Sequence, residues 1–227
     1  PIYEKAVADA KAADTPEKRR GVGIAWGGFN VTEGGGDSAE VALELMPGNK
    51  IRKYDTWHAM GQGATTGSLV VTLEALKEMH LTPEDIQLIQ NDTKTCPDTG
   101  MAGASRSLYM DGNATIIAAN KLLAAMRKED GTLRTYDEMK AEGIETKYLG
   151  RYETNTTPGL CRLDPNTGIG DPTPAFTYCL NLAEVEVDTK TGKTTVLKFT
   201  CVDFVGRIGN IDAVNGQAYS GIMHGIG

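Results

Sequence analysis

The most informative segment of the chain reads Gly61-Gln62-Gly63-Ala64-Thr65-Thr66-Gly67. It opens an apolar pattern at helical spacing, in which Leu69, Leu73 and Leu76 fall on one face. A glycine-rich loop followed at once by a helix exposes several backbone N–H groups at the positive end of the helix dipole. The segment therefore predicts a helix that begins at a loop suited to an anionic ligand.

A second segment repeats this arrangement. Residues 97–103 read Pro-Asp-Thr-Gly-Met-Ala-Gly and are typical of a loop, and residues 104–128 carry apolar side chains at helical spacing. Glycine accounts for 27 of the 227 residues, which exceeds ordinary usage and indicates close backbone approach somewhere in the fold. Two loops that each deliver a helix N-terminus favour anion binding over a purely structural use of the glycines.

Two predicted hairpins flank these helices. Alternating residues 38–45, a turn at 47–49 and a strand over 51–57 form the first hairpin, and a strand at 86–90 follows the first helix. Residues 176–187 and 194–205 form the second hairpin, and a helix is expected from Asp212 to the end. The shared order of strand, strand and helix predicts an internal duplication.

The expected architecture is an α/β fold of the α+β type, with two layers and mostly antiparallel sheets built from duplicated ββα-type subdomains. Residues 1–20 are expected to form a lead-in helix, and residues 21–128 the first subdomain. Residues 129–175 contain few apolar positions and are expected to form a long surface connection with one short helical stretch near Tyr136 to Glu142. Residues 176–227 are expected to begin a second subdomain that is truncated, because the chain starts without Met and stops directly after a helical stretch.

Composition excludes several classes of protein. The net charge is -7 and no basic run breaks the acidity, which disfavours nucleic-acid binding. The sequence contains no window of about 18 apolar residues and no signal-peptide core. It therefore predicts a cytoplasmic protein that does not associate with membranes. The four cysteines, Cys96, Cys161, Cys179 and Cys201, are too widely spaced to predict a metal site.

Parts of the sequence are compatible with two alternative functions. A nicotinamide-dinucleotide-binding domain is suggested by the Gly-x-Gly before a helix, but the spacing is Gly-x-Gly-x-x-x-Gly and the preceding strand at 51–57 is polar. A stand-alone, non-catalytic binding or structural module is the other. A hydrolase triad has no support, since His58, His80 and His224 show no spacing to a nucleophile.

Three motifs together resemble a known family. They are Met60-Gly61-Gln62-Gly63-Ala64, the run from Asn91 through Thr99-Gly100-Met101-Ala102-Gly103-Ala104-Ser105-Arg106, and Gly221-Ile222-Met223-His224-Gly225-Ile226-Gly227. In order and spacing they resemble motifs of the large subunit of molybdenum hydroxylases, the xanthine dehydrogenase and aldehyde oxidoreductase family. The likeness is greatest to bacterial aldehyde oxidoreductases that use molybdopterin cytosine dinucleotide.

The resemblance implies a set of cofactor contacts in this chain. It assigns to the cofactor Met60, Gly61, Gln62, Gly63, Ala64, Thr65, Thr99, Gly100, Ala102, Gly103, Ala104, Ser105, Arg106, His224 and Gly225. The second loop is expected to act through its backbone N–H groups and the Ser105 hydroxyl. His224 stands where family members commonly carry Gln, and an imidazole also offers a hydrogen bond.

The resemblance also implies what the chain leaves to other parts of the enzyme. The family's general-base glutamate lies in a Gly-x-Gly-Glu motif expected downstream, so no catalytic residue and no metal ligand is assigned here. Iron–sulfur clusters are expected only in other domains or subunits, which would be the partners of this chain. The complete enzyme is expected to hydroxylate an aldehyde or N-heterocycle with oxygen from water, and the isolated chain to be inactive.

Overall fold

The computed structural model describes residues 1–32, 36–156 and 163–227. The helices are α1 (Ile2–Ala12), α2 (Ala64–Ala75), α3 (Ser107–Met126), α4 (Tyr136–Ala141) and α5 (Ile211–Ile226). The strands are β1 (Lys18–Val31), β2 (Ser38–Met46), β3 (Lys50–Asp55), β4 (Ile86–Gln90), β5 (Lys147–Glu153), β6 (Ala175–Asp188) and β7 (Thr194–Phe204). Cys161, one of the cysteines considered above, lies outside the described residues.

The chain divides into two compact units. The four-stranded unit comprises Asn30–Ala175 and Gly209–Gly216, and the three-stranded unit comprises Pro1–Phe29, Phe176–Ile208 and Gln217–Gly227. Each unit is named for its sheet.

The sheet of the four-stranded unit has the order β4-β3-β2-β5. The strand β2 is antiparallel to β3 and to β5, whereas β3 and β4 are parallel. Alternate residues of β2 face the core, and both Leu43 and Leu45 are fully buried. Leu45 lies opposite Ile51, which in turn lies beside Ile86. The hydrophobic alternation of the sequence thus fixes the register of this sheet.

Helices cover this sheet as a second layer. The helix α3 packs across β2 and β5, and α2 packs against α3. The buried side chains of the main core are Leu43, Leu45, Ile51, Leu76, Ile86, Ala118, Ala119, Leu122, Leu123, Met126 and Met139. Small residues let α3 approach closely, because a Cβ added at Gly150 on β5 would overlap the Ala114 carbonyl oxygen and come within 2.6 Å of the Ala118 nitrogen.

The sheet of the three-stranded unit has the order β1-β6-β7. The strands β6 and β7 form an antiparallel hairpin in which Leu180 lies opposite Val202. The ends of β1 meet opposite ends of β6, since Lys18 bonds to Glu186 while the Phe29 carbonyl accepts from Thr177, so these strands are also antiparallel.

Both predicted hairpins, the strand at 86–90 and the helices that follow are present, and the predicted α/β class with mostly antiparallel pairing is confirmed. A doubly wound parallel sheet, which the nicotinamide alternative requires, does not occur among the described residues. In the described part of the chain, no helix combines the length and the apolar character that crossing a membrane demands.

Three expectations about element placement were wrong. The lead-in helix ends at Ala12, and Lys18 already begins a strand. That strand, β1, pairs with β6 and not with the strands of the expected first subdomain. Residues 129–175 contain the predicted short helix, as α4, but also the edge strand β5, which was not predicted. The subdomain bounds 21–128 and 176–227 stay a prediction.

Candidate functional site

The two glycine loops leave the same end of the four-stranded sheet. Because β3 and β4 are parallel, the segments that follow Asp55 and Gln90 emerge at the same end of the sheet. Two threonines then link these segments reciprocally. The backbone N–H of Thr56 donates to Thr99 Oγ1 at 2.9 Å, and that of Thr99 donates to Thr56 Oγ1 at 3.0 Å. The loops therefore share a fixed base.

The first loop presents the start of α2. Gly61 and Gly63 have φ values of 110° and 83°, a left-handed conformation that side chains disfavour, so glycine is required at both positions. Gly63 immediately precedes α2, whose first N–H groups have no acceptor within the helix. The N–H groups of Gly61, Gln62 and Gly63 likewise donate to no atom of the described residues. The loop tip therefore offers a cluster of free backbone donors.

Side chains of the first loop are mostly turned to solvent or to the loop itself. Met60 is exposed, while Ala64 at the start of α2 is buried and Thr65 beside it is exposed. The Gln62 amide folds back: its Oε1 accepts from the Met60 N–H at 2.6 Å, and its Nε2 donates to the His58 carbonyl at 3.4 Å. Gln62 thus stabilises the loop from within.

The second loop carries a longer run of free donors. From Met101 to Ser105, five consecutive backbone N–H groups donate to no atom of the described residues. Ala104 and Ser105 have φ values of 48° and 51°, a left-handed conformation that costs non-glycine residues about 1 kcal/mol each. Such local strain persists only where surrounding structure enforces it. This loop is therefore built to keep an unusual shape.

The two glycines of the second loop, Gly100 and Gly103, differ in whether the fold requires glycine at that position. Gly100 has a φ of 79°, and a Cβ there would lie 2.7 Å from Arg106 Nη1. Gly103 has no left-handed φ, and a Cβ there would approach only the Met101 side chain, at 3.6 Å or more. The fold therefore requires glycine at position 100, whereas it would accept a side chain at position 103.

Two residues expected to contact the cofactor are fully engaged within the protein. Thr99 is 2% exposed, its N–H bonds to Thr56, and its hydroxyl also donates to the Glu40 carbonyl at 2.9 Å. Arg106 is 3% exposed, and all five of its guanidinium N–H groups have protein acceptors. Neither side chain has a donor left for a ligand among these contacts, and the assignment of both residues to the cofactor stays a prediction.

The third motif lies in the other unit. His224 and Gly225 occupy the last turn of α5 and are exposed. In the four-stranded unit, His58 Nδ1 lies 3.2 Å from the Thr56 carbonyl, so this ring is tied to the base of the first loop.

Sequence reasoning missed a buried charge cluster beneath both loops. Lys53 Nζ lies 2.7 Å from Asp111 Oδ1 and 3.2 Å from Asp55 Oδ2, and all three side chains are 0% exposed. Ser68 of α2 and Gln90 of β4 both donate to Asp55. The signal was available, because Lys53 occupies an inward position of β3, between Ile51 and Asp55 in the alternation.

This cluster holds one negative charge in excess. Asp111 Oδ2 is buried and has no hydrogen-bond partner among the described residues. Burial raises the pKa of Asp111 to about 6, although Lys53 opposes that rise. The cluster joins β3, which leads into the first loop, to α3, which follows the second.

Comparison with known proteins assigns the class. Residues 2–227 match the model of the molybdopterin cofactor-binding domain, and the chain belongs to this family. The resemblance recognised in the motifs is therefore confirmed.

The similar proteins include an aldehyde oxidoreductase and a xanthine dehydrogenase. The chain is 37% identical over 227 residues to an aldehyde oxidoreductase of Megalodesulfovibrio gigas, covering 100% of the chain and 25% of that protein. It is 25% identical over 173 residues to a xanthine dehydrogenase of Dictyostelium discoideum, covering 74% and 12%. The solved aldehyde oxidoreductase of Desulfovibrio desulfuricans superposes with a TM-score of 0.93 at 39% identity, over 100% of the chain and 24% of that protein. The chain thus spans about a quarter of the length of the aldehyde oxidoreductases.

Proposed function

We propose that this chain is the molybdopterin-dinucleotide-binding segment of a molybdenum hydroxylase, in which the two glycine loops hold the anionic part of the cofactor. Family membership and the run of free N–H donors from Met101 to Ser105 support this proposal. Backbone donors at a helix N-terminus suit an anion because they bring partial positive charge without a side chain in the way. In a protein of net charge -7, such local donors must replace an overall attractive field.

Gly103 gives the sharpest indication that space is kept for a ligand. The φ of Gly103 lies outside the left-handed region and its surroundings would accept a Cβ, so the fold alone does not explain a glycine here. A ligand that approaches the backbone of Ala102, Gly103 and Ala104 would explain it, because a side chain would block that approach. The residues present therefore fit a phosphate or pterin group.

The proposed contacts follow from the free donors. They are the N–H groups of Gly61, Gln62, Gly63, Ala64, Thr65, Ala102, Gly103, Ala104 and Ser105, the Ser105 hydroxyl, the surfaces of Met60 and Gly100, and the His224 and Gly225 region. Thr99 and Arg106 belong to this set as supports of the loop, not as ligand contacts. The cytosine dinucleotide form of the cofactor is part of the proposal.

When bound, the molybdenum cofactor supplies the two-electron oxidation that hydroxylates a substrate with oxygen from water. The residues of this chain bind and orient the cofactor, and none is proposed to transfer a proton to or from the substrate. The substrate class is a small molecule, either an aldehyde or an N-heterocycle. The partners are the remaining domains or subunits, which carry the general base and the iron–sulfur clusters, and the proposed location is the cytoplasm.

The proposal is tested in the complete gene product. We expect the purified protein to contain molybdenum and, after acid hydrolysis, to release cytidine monophosphate. A folded protein that is produced in a host able to make the cofactor, yet lacks both, would support the stand-alone module instead. The isolated 227-residue chain should show no aldehyde oxidation.

One substitution tests the second loop directly. Gly103→Val should abolish cofactor incorporation and leave the thermal unfolding midpoint near that of the parent protein, because the nearest atoms to an added Cβ belong to the flexible Met101 side chain and not to backbone. Gly23→Val is the control, since position 23 lies on β1 with no atom within 4 Å of an added Cβ. A folded Gly103→Val protein with normal molybdenum content would contradict a binding role for this loop.

A further inference from the structure

Arg106 forms the most highly connected polar contact of the second loop. Its Nε and Nη2 donate to the two carboxylate oxygens of Asp37 at 2.7 and 2.8 Å, a bidentate pair. Its Nη1 donates to the carbonyls of Thr99 and Met101 at 2.9 and 2.8 Å, and Nη2 also donates to the Ser38 carbonyl at 2.8 Å. The guanidinium therefore ties the start of β2 to the loop before α3.

Asp37 is itself held in place. Thr32 Oγ1 donates to Asp37 Oδ2 at 2.5 Å, and the Asp37 N–H donates to Thr154 Oγ1 at 3.0 Å. Burial would raise the pKa of Asp37, but the hydrogen bonds from Arg106 and Thr32 outweigh burial and hold it below its ordinary value. The carboxylate is therefore a charged, fixed acceptor at neutral pH.

The carbonyl groups that these contacts engage decide where the loop's N–H groups point. In a trans peptide, the carbonyl of one residue and the N–H of the next point in opposite directions, and none of the described peptides is cis. The Met101 carbonyl accepts from Arg106 Nη1, the Gly103 carbonyl from the Arg106 N–H, and the Ala104 carbonyl from the Thr32 N–H. The N–H groups of residues 102, 104 and 105 therefore point away from these internal contacts.

We propose that Asp37 and Arg106 are positioning residues of the cofactor site: the ion pair holds the second loop in the strained shape that turns its N–H groups toward an anionic ligand. This inference rests on the proposed function. It reassigns Arg106 from a ligand contact to an internal support, and adds Asp37, which no motif indicated. Gly100 belongs to the same device, because the guanidinium occupies the space a side chain would need.

A positioning role and a direct charge contact predict opposite effects. If Arg106 attracted the cofactor by its charge, Asp37→Asn would remove a competing carboxylate and leave anion affinity unchanged or higher. If the pair positions the loop, Asp37→Asn should lower the anion affinity, because an amide cannot accept both guanidinium hydrogen bonds. Arg106→Lys separates the two readings again, since Lys keeps the charge but has three donors in place of five.

The experiment uses the complete molybdenum protein and three readouts. Molybdenum and released nucleotide per protein report occupancy, hydrogen exchange of the 99–106 peptide reports loop order, and the thermal unfolding midpoint reports the fold. We expect Asp37→Asn and Arg106→Lys to lower occupancy by about 10-fold or more, as for other outer partners of ligand-binding groups, with faster exchange in that peptide. The control is Arg151→Lys, because Arg151 forms a surface pair with Glu40 in the same unit and is 51% exposed.

Each outcome bears on the proposal. Unchanged or higher occupancy in Asp37→Asn, or full occupancy in Arg106→Lys combined with loss in Arg106→Met, would overturn it. If Asp37→Asn does not fold, Thr32→Val keeps the ion pair but removes one of its supports, and occupancy should fall several-fold at an unchanged midpoint. Wild-type occupancy in Thr32→Val would then refute the inference. A parent protein without molybdenum defeats the proposed function instead, while the exchange rates still test the ion pair.

Discussion

Replacing Asp111 by Asn should remove a distinctive pH dependence from the stability of the four-stranded unit. The Asp111 carboxylate is fully buried, it pairs with Lys53 at 2.7 Å, and its Oδ2 atom has no partner among the described residues. Asp55 adds a second carboxylate on the same lysine. One ammonium cannot neutralise two buried carboxylates, so ionisation of Asp111 is costly.

The magnitude follows from the pKa of Asp111. Folding raises this pKa from 3.8 to about 6, mainly through burial. A difference of roughly two pKa units corresponds to about 3 kcal/mol. Between these values the folded protein holds a proton that the unfolded chain has released, so the stabilising contribution is complete below pH 3.8 and is lost as pH rises through 6.

Asn at position 111 cannot titrate, and its contacts predict the rest of the profile. Its Oδ1 can still accept from Lys53, and its Nδ2 would stand where Oδ2 finds no partner. Near pH 4 the protonated wild-type carboxyl places an O–H at this same position, so the two proteins should be nearly equal in stability. Near pH 7 the variant avoids the ionisation cost, so it should be the more stable protein by about 2 to 3 kcal/mol.

Urea unfolding from pH 4 to pH 7.5 measures this difference. Trp57 is a suitable probe because it is 5% exposed and its ring lies 5.6 Å from Lys53 Nζ, whereas Trp26 is 76% exposed in the other unit. A Trp26→Phe background makes Trp57 the only tryptophan. Comparing the variant with its parent cancels the titration of all other carboxyls. Parallel stability profiles across this pH range would refute the reasoning.

Other expected outcomes concern packing, a helix cap and a thiol. Gly150→Ala should destabilise the four-stranded unit by about 3 kcal/mol or more in urea unfolding, because its Cβ would overlap the backbone of α3, whereas Gly23→Ala should have little effect. Glu138→Gln should lower the thermal midpoint at pH 7, with the deficit shrinking as pH falls below 4.5, because hydrogen bonds from Lys128 and the Thr135 N–H lower the pKa of Glu138 to about 2; a deficit that persists unchanged at pH 3 would contradict this. Cys201 should be alkylated about 100-fold more slowly at pH 8 in the native protein than in urea, since burial and Asp203 raise its pKa from 9.0 to about 11. Peptide mass spectrometry measures the rate, and equal rates in the two states would show that the thiol is not protected.

Local periodicity was enough to predict the elements that carry the loops. The strands β2 and β3 alternate, and the helices α2 and α3 repeat at helical spacing, so hairpin and helices were visible in the residues. Strand β5 was not, because Gly150 interrupts the inward positions between Tyr148 and Tyr152 and the apolar Leu149 faces outward, which weakens the hydrophobic alternation. The partner of β1 lies about 150 residues away, and nothing local specifies a pairing at that distance.

The glycine loops were predictable from the sequence, but the hydrogen bonds that their side chains form within the protein were not. The family resemblance assigns Arg106 to the cofactor, and nothing in the neighbouring sequence indicates a different partner. Its actual acceptors are Asp37 and carbonyls of residues 38, 99 and 101, which only the folded chain brings together. Lys53 illustrates the same limit, since its inward position was readable while its partner on α3 was not.

The reciprocal bonds between Thr56 and Thr99 tie the bases of the two loops to each other. A ligand that contacts both loops would meet donors whose relative positions are already fixed by folding. Binding would then not include the entropic cost of ordering one loop relative to the other. The same coupling has a reverse side: a shift of one loop displaces the other, and a ligand cannot be gripped by one loop while the other adapts. On the proposed function, the pair would therefore discriminate between ligands by the separation of their anionic groups, as a rigid bidentate receptor does.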